Sequence, residues 1–173
     1  IRCVTDTNGM HTRGGKPINS CPHIMESLQN LIDNNTSIVL DGELYNHELK
    51  ADFQKIVSLV RKVKCRPEEI AEAKEKVQYH IYDMFDKNNP NMTFIERSKW
   101  LADNVSGDMI VLVNTDKADT TQDIDKLYGE YTQAGYEGQM VRQDTPYECK
   151  RSKNLLKRKE FITEEYTVVR VEE

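Results

Sequence analysis

The sequence predicts an α+β fold in which largely antiparallel sheets are flanked by helices. Segments with strand character and segments with helical character follow one another without the regular βαβ rhythm of a doubly wound parallel sheet. No glycine-rich phosphate loop follows any predicted strand, which argues against Rossmann and P-loop folds. The 173 residues are enough for one domain with a substantial core.

The first predicted elements are a strand, a turn and an amphipathic helix. Residues 1–4 have the character of the middle of a strand, and the glycines and proline of residues 12–17 predict a turn. Ser20 is expected to cap a helix that has Pro22 in its first turn and ends at Asn34-Asn35. The apolar residues of this helix recur on one face: Ile24, Leu28, Leu31 and Ile32.

Two strands with a helical excursion between them are predicted next. Residues 37–45 form a strand whose β-branched residues lead into Asp41-Gly42-Glu43-Leu44. Residues 53–63 have apolar residues at helical spacing, and Pro67 begins a second, polar helix. The following strand, residues 77–85, alternates between two expected faces: Tyr79, Ile81, Asp83 and Phe85 on one, His80, Tyr82 and Met84 on the other.

The second half of the chain continues the mixture of helices and strands. Thr93 and Glu96 form a capping box for a helix, and residues 109–113 form a strand. Thr121 opens a further helix, and Gly135 stands where a C-terminal glycine cap belongs. The last strands are expected over residues 138–142, from residue 155 onward, and over residues 161–171.

Composition excludes several classes of protein. The four cysteines form no C-x-x-C pair and the four histidines no H-x-x-x-H pair, so a zinc site is not expected and reduced thiols in a cytosolic protein are. The apolar runs are too short for a membrane-spanning helix, and no signal peptide is visible. Because the chain starts at Ile1 in the middle of a predicted strand, we expect it to be an internal piece of a longer protein.

Two acidic motifs are candidates for chemistry. Asp41 and Glu43 lie two apart on a strand, so they face one side and could converge on a ligand, with Gly42 permitting close approach. Taken alone, the two residues are better explained as an acidic turn at a strand end. Glu137 stands between two glycines at the mouth of a strand, where a carboxylate suits Mg²⁺. The alternative is a solvated turn after a helix.

An aromatic strand and a basic segment complete the candidates. Tyr82, near the end of its strand, could stack on a nucleobase, although such aromatics are more often core residues. Residues 150–159 contain six basic residues and no acid. Lys157 and Lys159 project to one face of a strand, where two ammonium groups repel unless a polyanion such as phosphate lies between them. A solvated basic loop is the alternative.

The order of these motifs resembles that of the covalent nucleotidyltransferases. An arginine near a strand start (Arg2), L-D-G-E-L (40–44), an aromatic-Asp pair (82–83), E-G-x-M-V-R (137–142) and L-L-K-x-K (155–159) follow one another along nearly the whole chain. The chain most resembles the adenylation domain of an ATP-dependent DNA ligase of phage type. The resemblance implies one nucleotidyltransferase (ATP-grasp-like) domain over residues 1–173.

The resemblance also implies an activity. In the family, a lysine in K-x-D-G-x-R attacks the α-phosphate of ATP, which gives lysyl-AMP and releases pyrophosphate. AMP passes to the 5′-phosphate of a DNA nick, and the 3′-hydroxyl then displaces it. The implied cofactors are ATP and Mg²⁺, and the implied partner is nicked duplex DNA. The protein is expected to be monomeric, without membrane partners, in the cytoplasm of a bacterial or phage-infected cell.

Roles for individual residues follow from the same resemblance. Glu43 would hold the ribose hydroxyls, Tyr82 would stack on adenine, and Glu137 would serve the metal. Lys157 and Lys159 would be the catalytic lysines that hold the α-phosphate and its developing charge. Three arginines complete the implied site: Arg2 at the nucleotide or the nick phosphate, and Arg13 and Arg151 at the 5′-phosphate and the DNA.

The chain departs from the family pattern at both ends. K-x-D-G itself is absent, so the nucleophilic lysine is expected before Ile1 and no lysine of this chain replaces it. Gln139 stands where the family has a small apolar residue, and residues 165–171 resemble the exit toward a C-terminal OB-fold that is also missing. An RNA ligase, an mRNA-capping guanylyltransferase, or a non-catalytic nucleotide- or nucleic-acid-binding module are the alternatives.

Overall fold

The computed structural model describes residues 1–160 and Thr167, and these residues form two compact units. The first unit consists of Ile1–Thr115 and Asp144–Cys149. The second consists of Asp116–Gln143 and the described residues from Lys150 onward. The strand predicted over residues 161–171 lies outside the described residues. The assignment of residues 1–173 to one adenylation domain stays a prediction.

A five-stranded sheet with the order β2-β1-β3-β4-β5 is the centre of the first unit. All neighbouring strands are antiparallel except β4 and β5, which are parallel, so the predicted α+β class with largely antiparallel sheets is confirmed. The strands are β1 Arg2–Asp6, β2 Gly9–Thr12, β3 Ile38–Tyr45, β4 Gln78–Asp86 and β5 Ile110–Leu112.

Four helices and one short 3-10 helix accompany this sheet. They are α1 Pro22–Asn34, the 3-10 helix His47–Asp52, α2 Phe53–Val60, α3 Pro67–Lys76 and α4 Phe94–Asn104. One continuous core joins the sheet to the helices, since buried residues of β3, β4, α1 and α2 belong to the same cluster. Within residues 1–160, no helix is both long enough and apolar enough to span a membrane.

Helix boundaries follow the predicted local signals at the start of α4 and at the end of α1, but not at the start of α1 or the end of α2. Thr93 and Glu96 form the predicted reciprocal capping box of α4. The predicted cap by Ser20 is wrong: Cys21 precedes α1, and the buried Ser20 hydroxyl donates to the Val60 carbonyl at 2.8 Å. α2 ends at Val60, three residues before the predicted end, and Val63 is 87% exposed.

A bulge between Asp41 and Gly42 changes the predicted faces of β4. Asp41 pairs with Asp83 and Gly42 with Ile81, so Tyr82 is an extra residue without a partner on β3. An extra residue reverses the alternation beyond it. Met84 is therefore fully buried while Phe85 lies only half-buried, and the prediction that Phe85 shares the face of Tyr79 and Ile81 is wrong.

The second unit consists of a helix and a two-stranded antiparallel sheet. Helix α5 covers Thr121–Gln133, β6 covers Gly138–Arg142 and β7 covers Leu155–Lys159. Thr120 caps α5 through a reciprocal box with Asp123. Gly135 has φ +89° directly after the helix, which is the conformation of the predicted glycine cap.

Candidate functional site

One face of β1, β3 and β4 gathers a network of polar side chains around Asp41. Arg2 donates to both carboxylate oxygens, from Nε to Oδ1 at 2.9 Å and from Nη2 to Oδ2 at 2.7 Å. The hydroxyls of Tyr82 and Tyr147 donate to Asp41 at 3.3 and 2.7 Å. Glu43 lies on the same strand face, directly across the β1–β3 ladder from Arg2. The structure therefore brings the predicted residues Arg2, Glu43 and Tyr82 onto one surface.

Burial and charge fix the protonation of this network. Asp41 is only 4% exposed, and its two oxygens are satisfied by a guanidinium and two phenols. The hydrogen bond to Asp41 raises the pKa of Arg2 above its usual range. Burial, reinforced by the Asp41 charge, raises the pKa of Tyr82 and of Tyr147, so both phenols remain neutral donors.

Glu43 is the accessible acid of this face. Its side chain is 48% exposed and accepts a hydrogen bond from the Ile1 nitrogen at 2.9 Å. His80 lies opposite Glu43 in the β3–β4 register, and burial lowers the pKa of His80 although the Glu43 charge opposes the shift. An exposed carboxylate next to a neutral imidazole can accept hydrogen bonds from ligand hydroxyls.

Gly42 is required by the packing of the sheet itself. A Cβ atom at this position would clash with the His80 carbonyl oxygen and crowd the Tyr79 ring. The close approach expected at this glycine is therefore made by β4. Gly42 keeps Asp41 and Glu43 on one face by allowing β3 and β4 to pair closely at the bulge.

Asp83, the second residue of the predicted aromatic-Asp pair, is part of a buried ion pair. Arg97 on α4 donates to its two oxygens at 2.7 and 3.1 Å, and both side chains are almost fully buried. Arg97 also donates to the carbonyls of Met92 and Thr145 at 2.6 and 3.0 Å. This pair ties α4 to β4. Sequence reasoning missed Arg97, because Asp83 and Thr145 lie 14 and 48 positions from it along the chain.

Tyr147 is the other residue that sequence reasoning missed. It belongs to residues 144–149, which connect β6 to β7 along the chain and are part of the first unit. Besides its bond to Asp41, its hydroxyl accepts a hydrogen bond from Arg2 Nη2 at 3.2 Å. No periodicity marks this connection, so only knowledge of the long-range contact with Asp41 identifies it.

The remaining predicted lysines and the acid lie together in the second unit. The β6–β7 register places Lys159 opposite Gly138 and Lys157 opposite Met140, so both lysines project from one face of the two-stranded sheet. Lys157 Nζ is 3.6 Å from Glu137 Oε2, and the two side chains are 56% and 80% exposed. Gly138 has no room for a side chain, because a Cβ atom would clash with the Arg158 carbonyl oxygen.

Arg158, between the two lysines, points to the opposite side of β7. It donates to Asp125 on α5 at 2.6 Å, and its guanidinium lies 4.4 Å from the centre of the Tyr128 ring. Gln139 Nε2 donates to the Ile124 carbonyl at 3.0 Å and is buried. Because side chains alternate along β6 and β7, one face of this sheet packs on α5. Lys157 and Lys159 lie on the other face, as the sequence predicts.

The two arginines predicted at the DNA are exposed, one in each unit. Arg13 lies in the turn after β2, which is closed by hydrogen bonds between Thr12 and Lys16 and between Gly15 and Thr12. Arg151 lies before β7 in the second unit. Among the residues that the structure describes, neither arginine forms an ion pair.

A magnesium site would rest on few protein ligands. The described residues contain no group of three or more His, Cys, Asp or Glu side chains placed to hold a metal ion. Mg²⁺ is often held by one or two carboxylates together with substrate phosphates and water. The exposed Glu137 carboxylate fits that mode, and it would hold the ion while the phosphates completed the ligand set.

Comparison with known proteins gives one family and several solved structures of similar fold. The family model of the ATP dependent DNA ligase domain matches residues 3–159. A structure from work on Lig E DNA ligases and their DNA binding with a minimal scaffold superposes with a TM-score of 0.72 at 20% identity, over 92% of this chain and 58% of that one. The Chlorella virus DNA ligase-adenylate superposes with a TM-score of 0.67 at 22% identity, over 92% of this chain and 57% of that one. The chain thus spans less than three fifths of either protein. No match is found among curated proteins.

Proposed function

The chain belongs to the ATP-dependent DNA ligase domain family, and from this membership we propose that its protein seals nicks in duplex DNA through a lysyl-AMP intermediate. The observation that carries the proposal is the polar face of β1, β3 and β4. On this face Arg2 and Tyr82 both donate to Asp41 and Glu43 lies opposite Arg2, which supports a role for the three side chains at one nucleotide.

The first unit binds the nucleoside in this proposal. The Glu43 carboxylate accepts hydrogen bonds from the ribose hydroxyls, and the Tyr82 ring supplies a surface for adenine. The Tyr82 hydroxyl donates to Asp41 at 3.3 Å, which anchors the far end of the ring. Because that phenol and the Arg2–Asp41 pair are already ordered, little conformational entropy is lost when the nucleotide binds.

The second unit acts on the phosphates. Lys157 and Lys159 stabilise the α-phosphate oxygens as charge develops during transfer. The Lys157–Glu137 pair is exposed, and such pairs contribute about 0–1 kcal/mol, so a phosphate replaces Glu137 at little cost. Glu137 is then available to the magnesium ion, which neutralises phosphate charge when bound.

The proposed reaction has three steps. A lysine nitrogen loses its proton to solvent and forms a bond to the α-phosphorus while the bond to pyrophosphate breaks. The nick's 5′-phosphate then displaces the lysine and forms a pyrophosphate bond to AMP. The 3′-hydroxyl loses its proton, attacks that 5′-phosphorus and releases AMP. Arg2, Arg13 and Arg151 are the cations assigned to the nick phosphate and its flanking backbone.

The test is covalent labelling of the complete protein. We expect the protein, incubated with Mg²⁺ and ATP labelled at the α-phosphate, to retain label on a denaturing gel and to lose it when nicked DNA is added. ATP labelled at the γ-phosphate is the control and leaves no label. Retention from GTP alone would move the protein to the capping enzymes. Absence of label from both nucleotides would overturn the proposal in favour of a binding module.

A further inference from the structure

Residues 144–149 are fastened to the first unit at three points. The Ile95 amide donates to Asp144 Oδ1 at 2.9 Å, and Arg97 donates to the Thr145 carbonyl at 3.0 Å. The third point is the Tyr147 hydroxyl, which donates to Asp41 at 2.7 Å. A short connection with this many anchors holds its side chains in fixed positions.

The Tyr147 ring is packed from two sides. Its centre lies 5.7 Å from the centre of the Phe85 ring, and the Arg97 guanidinium lies 5.6 Å from it. Phe85 lies on the same face of the sheet as Asp41 only because of the bulge at Tyr82. Ring packing therefore sets where the Tyr147 hydroxyl is, and the hydroxyl in turn contacts both members of the Arg2–Asp41 pair.

Arg2 is held through two of its three guanidinium nitrogens. Nε and Nη2 donate to Asp41, and Nη2 also donates to Tyr147 at 3.2 Å. Within the described residues, Arg2 Nη1 forms no hydrogen bond, and the side chain is 40% exposed. A guanidinium fixed along one edge presents the other edge in a constant direction, which is the geometry that phosphate recognition uses.

We propose that Tyr147 is a positioning residue that closes a ring of hydrogen bonds with Asp41 and Arg2 and so orients the unused edge of Arg2 toward a phosphate or ribose oxygen of the substrate. The proposal rests on the proposed function, because it needs Arg2 to act on a nucleotide or nick. Tyr147 acts through Arg2 and does not itself touch the substrate.

The experiment is a double-mutant cycle in the complete protein between Tyr147→Phe and Arg2→Lys. Tyr147→Phe keeps the ring packing and removes only the hydroxyl. The rate measured is the single-turnover rate of adenylate formation or of nick sealing, whichever Arg2→Lys slows. We expect Tyr147→Phe to lower that rate about tenfold, within the range of coupling between contacting residues. In the Arg2→Lys background the same change is expected to have an effect of less than about twofold.

The matched control is Tyr131→Phe. Tyr131 donates a comparable bond to Asp116 at 2.6 Å in the second unit, and its loss is expected to leave the rate unchanged. Thermal unfolding of each variant is measured alongside, because a merely structural role would lower stability without the coupling to Arg2. If Tyr147→Phe does not fold, Tyr147→Leu, which also lacks the hydroxyl, replaces it in the cycle.

The outcomes separate the two proposals. A wild-type protein that forms no adenylate and seals no nick contradicts the proposed function. A wild-type protein that is active while Tyr147→Phe matches it, or while the effects of Tyr147→Phe and Arg2→Lys multiply, contradicts only the positioning role. A loss of rate that parallels the loss of thermal stability across the variants also contradicts the positioning role.

Discussion

Arg97 and Asp83 are both almost fully buried, and the guanidinium donates to both oxygens of the carboxylate. Removing one partner of a buried pair leaves the other charge without compensation, which typically costs about 3–5 kcal/mol. We expect Arg97→Met to lower the free energy of unfolding by about that amount. Denaturant titration measures the loss. The double variant Arg97→Met/Asp83→Leu is the control and should recover part of it, and an equal loss in both proteins would contradict the argument.

Lys159 and Glu137 lie on the exposed part of the second unit, so their substitution tests chemistry more than stability. Loss of one cation at a developing phosphate charge costs about 10²–10³ in rate. We therefore expect Lys159→Ala to slow adenylate formation about a hundredfold.

Glu137→Ala should instead raise the Mg²⁺ concentration needed for half-maximal rate. Lys153→Ala, an exposed lysine of the same basic segment, is the matched control. Near-normal rates in both site variants would remove these residues from the site.

At the scale of elements, α3 is tied to its surroundings by two acids. Glu69 accepts bonds from Lys62 at 2.6 Å and from the Arg66 backbone and side chain, and Glu72 contacts Lys55 on α2 at 2.6 Å. The Arg66 backbone N–H lowers the pKa of Glu69 to about 2, and Lys55 lowers the pKa of Glu72 to about 2. Because both values lie below the ordinary 4.5, the stabilisation is complete above pH 4.5 and is lost as the pH falls toward 2.

This linkage predicts the acid sensitivity of the first unit. We expect the melting temperature to fall between pH 4.5 and 2, and the double variant Glu69→Gln/Glu72→Gln to show a flatter decline over that range. Glu75→Gln is the control, because Glu75 is exposed on the same helix and forms no ion pair among the described residues. A slope unchanged by the double variant would show that other groups govern acid unfolding.

Local signals predicted the elements well, and long-range contacts explain the differences. The capping box of α4 and the glycine after α5 depend on residues within one turn, so the sequence alone identifies them. Ser20 has the chemistry of a cap, but the Val60 carbonyl, 40 residues away, takes its hydroxyl. Which β4 side chains face the core beyond Tyr82 depends on the register with β3. The alternation of residues within β4 does not reveal that register.

The same distinction applies to the candidate site. Glu43 shares a strand face with Asp41, and Lys157 shares one with Lys159, because two-residue spacing on a strand is a local property. Tyr147 contacts Asp41 across 106 positions of sequence, and nothing around Tyr147 indicates it. The residues that touch a ligand in our proposal were predictable, whereas those that hold them in place required the fold.

At the scale of the whole molecule, charge is segregated along the chain. The net charge is −5, yet residues 150–159 contribute six basic residues and no acid. A polyanion such as the proposed DNA substrate is repelled by the net charge and attracted by this segment, which favours orientations that bring the two together. This segment also carries Lys157 and Lys159, so in our proposal attraction to the DNA backbone and phosphate chemistry involve the same ten residues.

This segregation predicts the salt dependence of DNA binding. Each phosphate neutralised by a cation contributes about 0.9 to the slope of log affinity against log salt. We expect Arg151→Ala in the complete protein to reduce that slope for nicked duplex DNA by about 1, measured by fluorescence anisotropy between about 50 and 200 mM salt. Lys64→Ala is the control, since Lys64 is an exposed cation between α2 and α3 in the first unit. If both variants reduce the slope equally, attraction is spread over the surface, and if neither does, Arg151 does not contact the backbone.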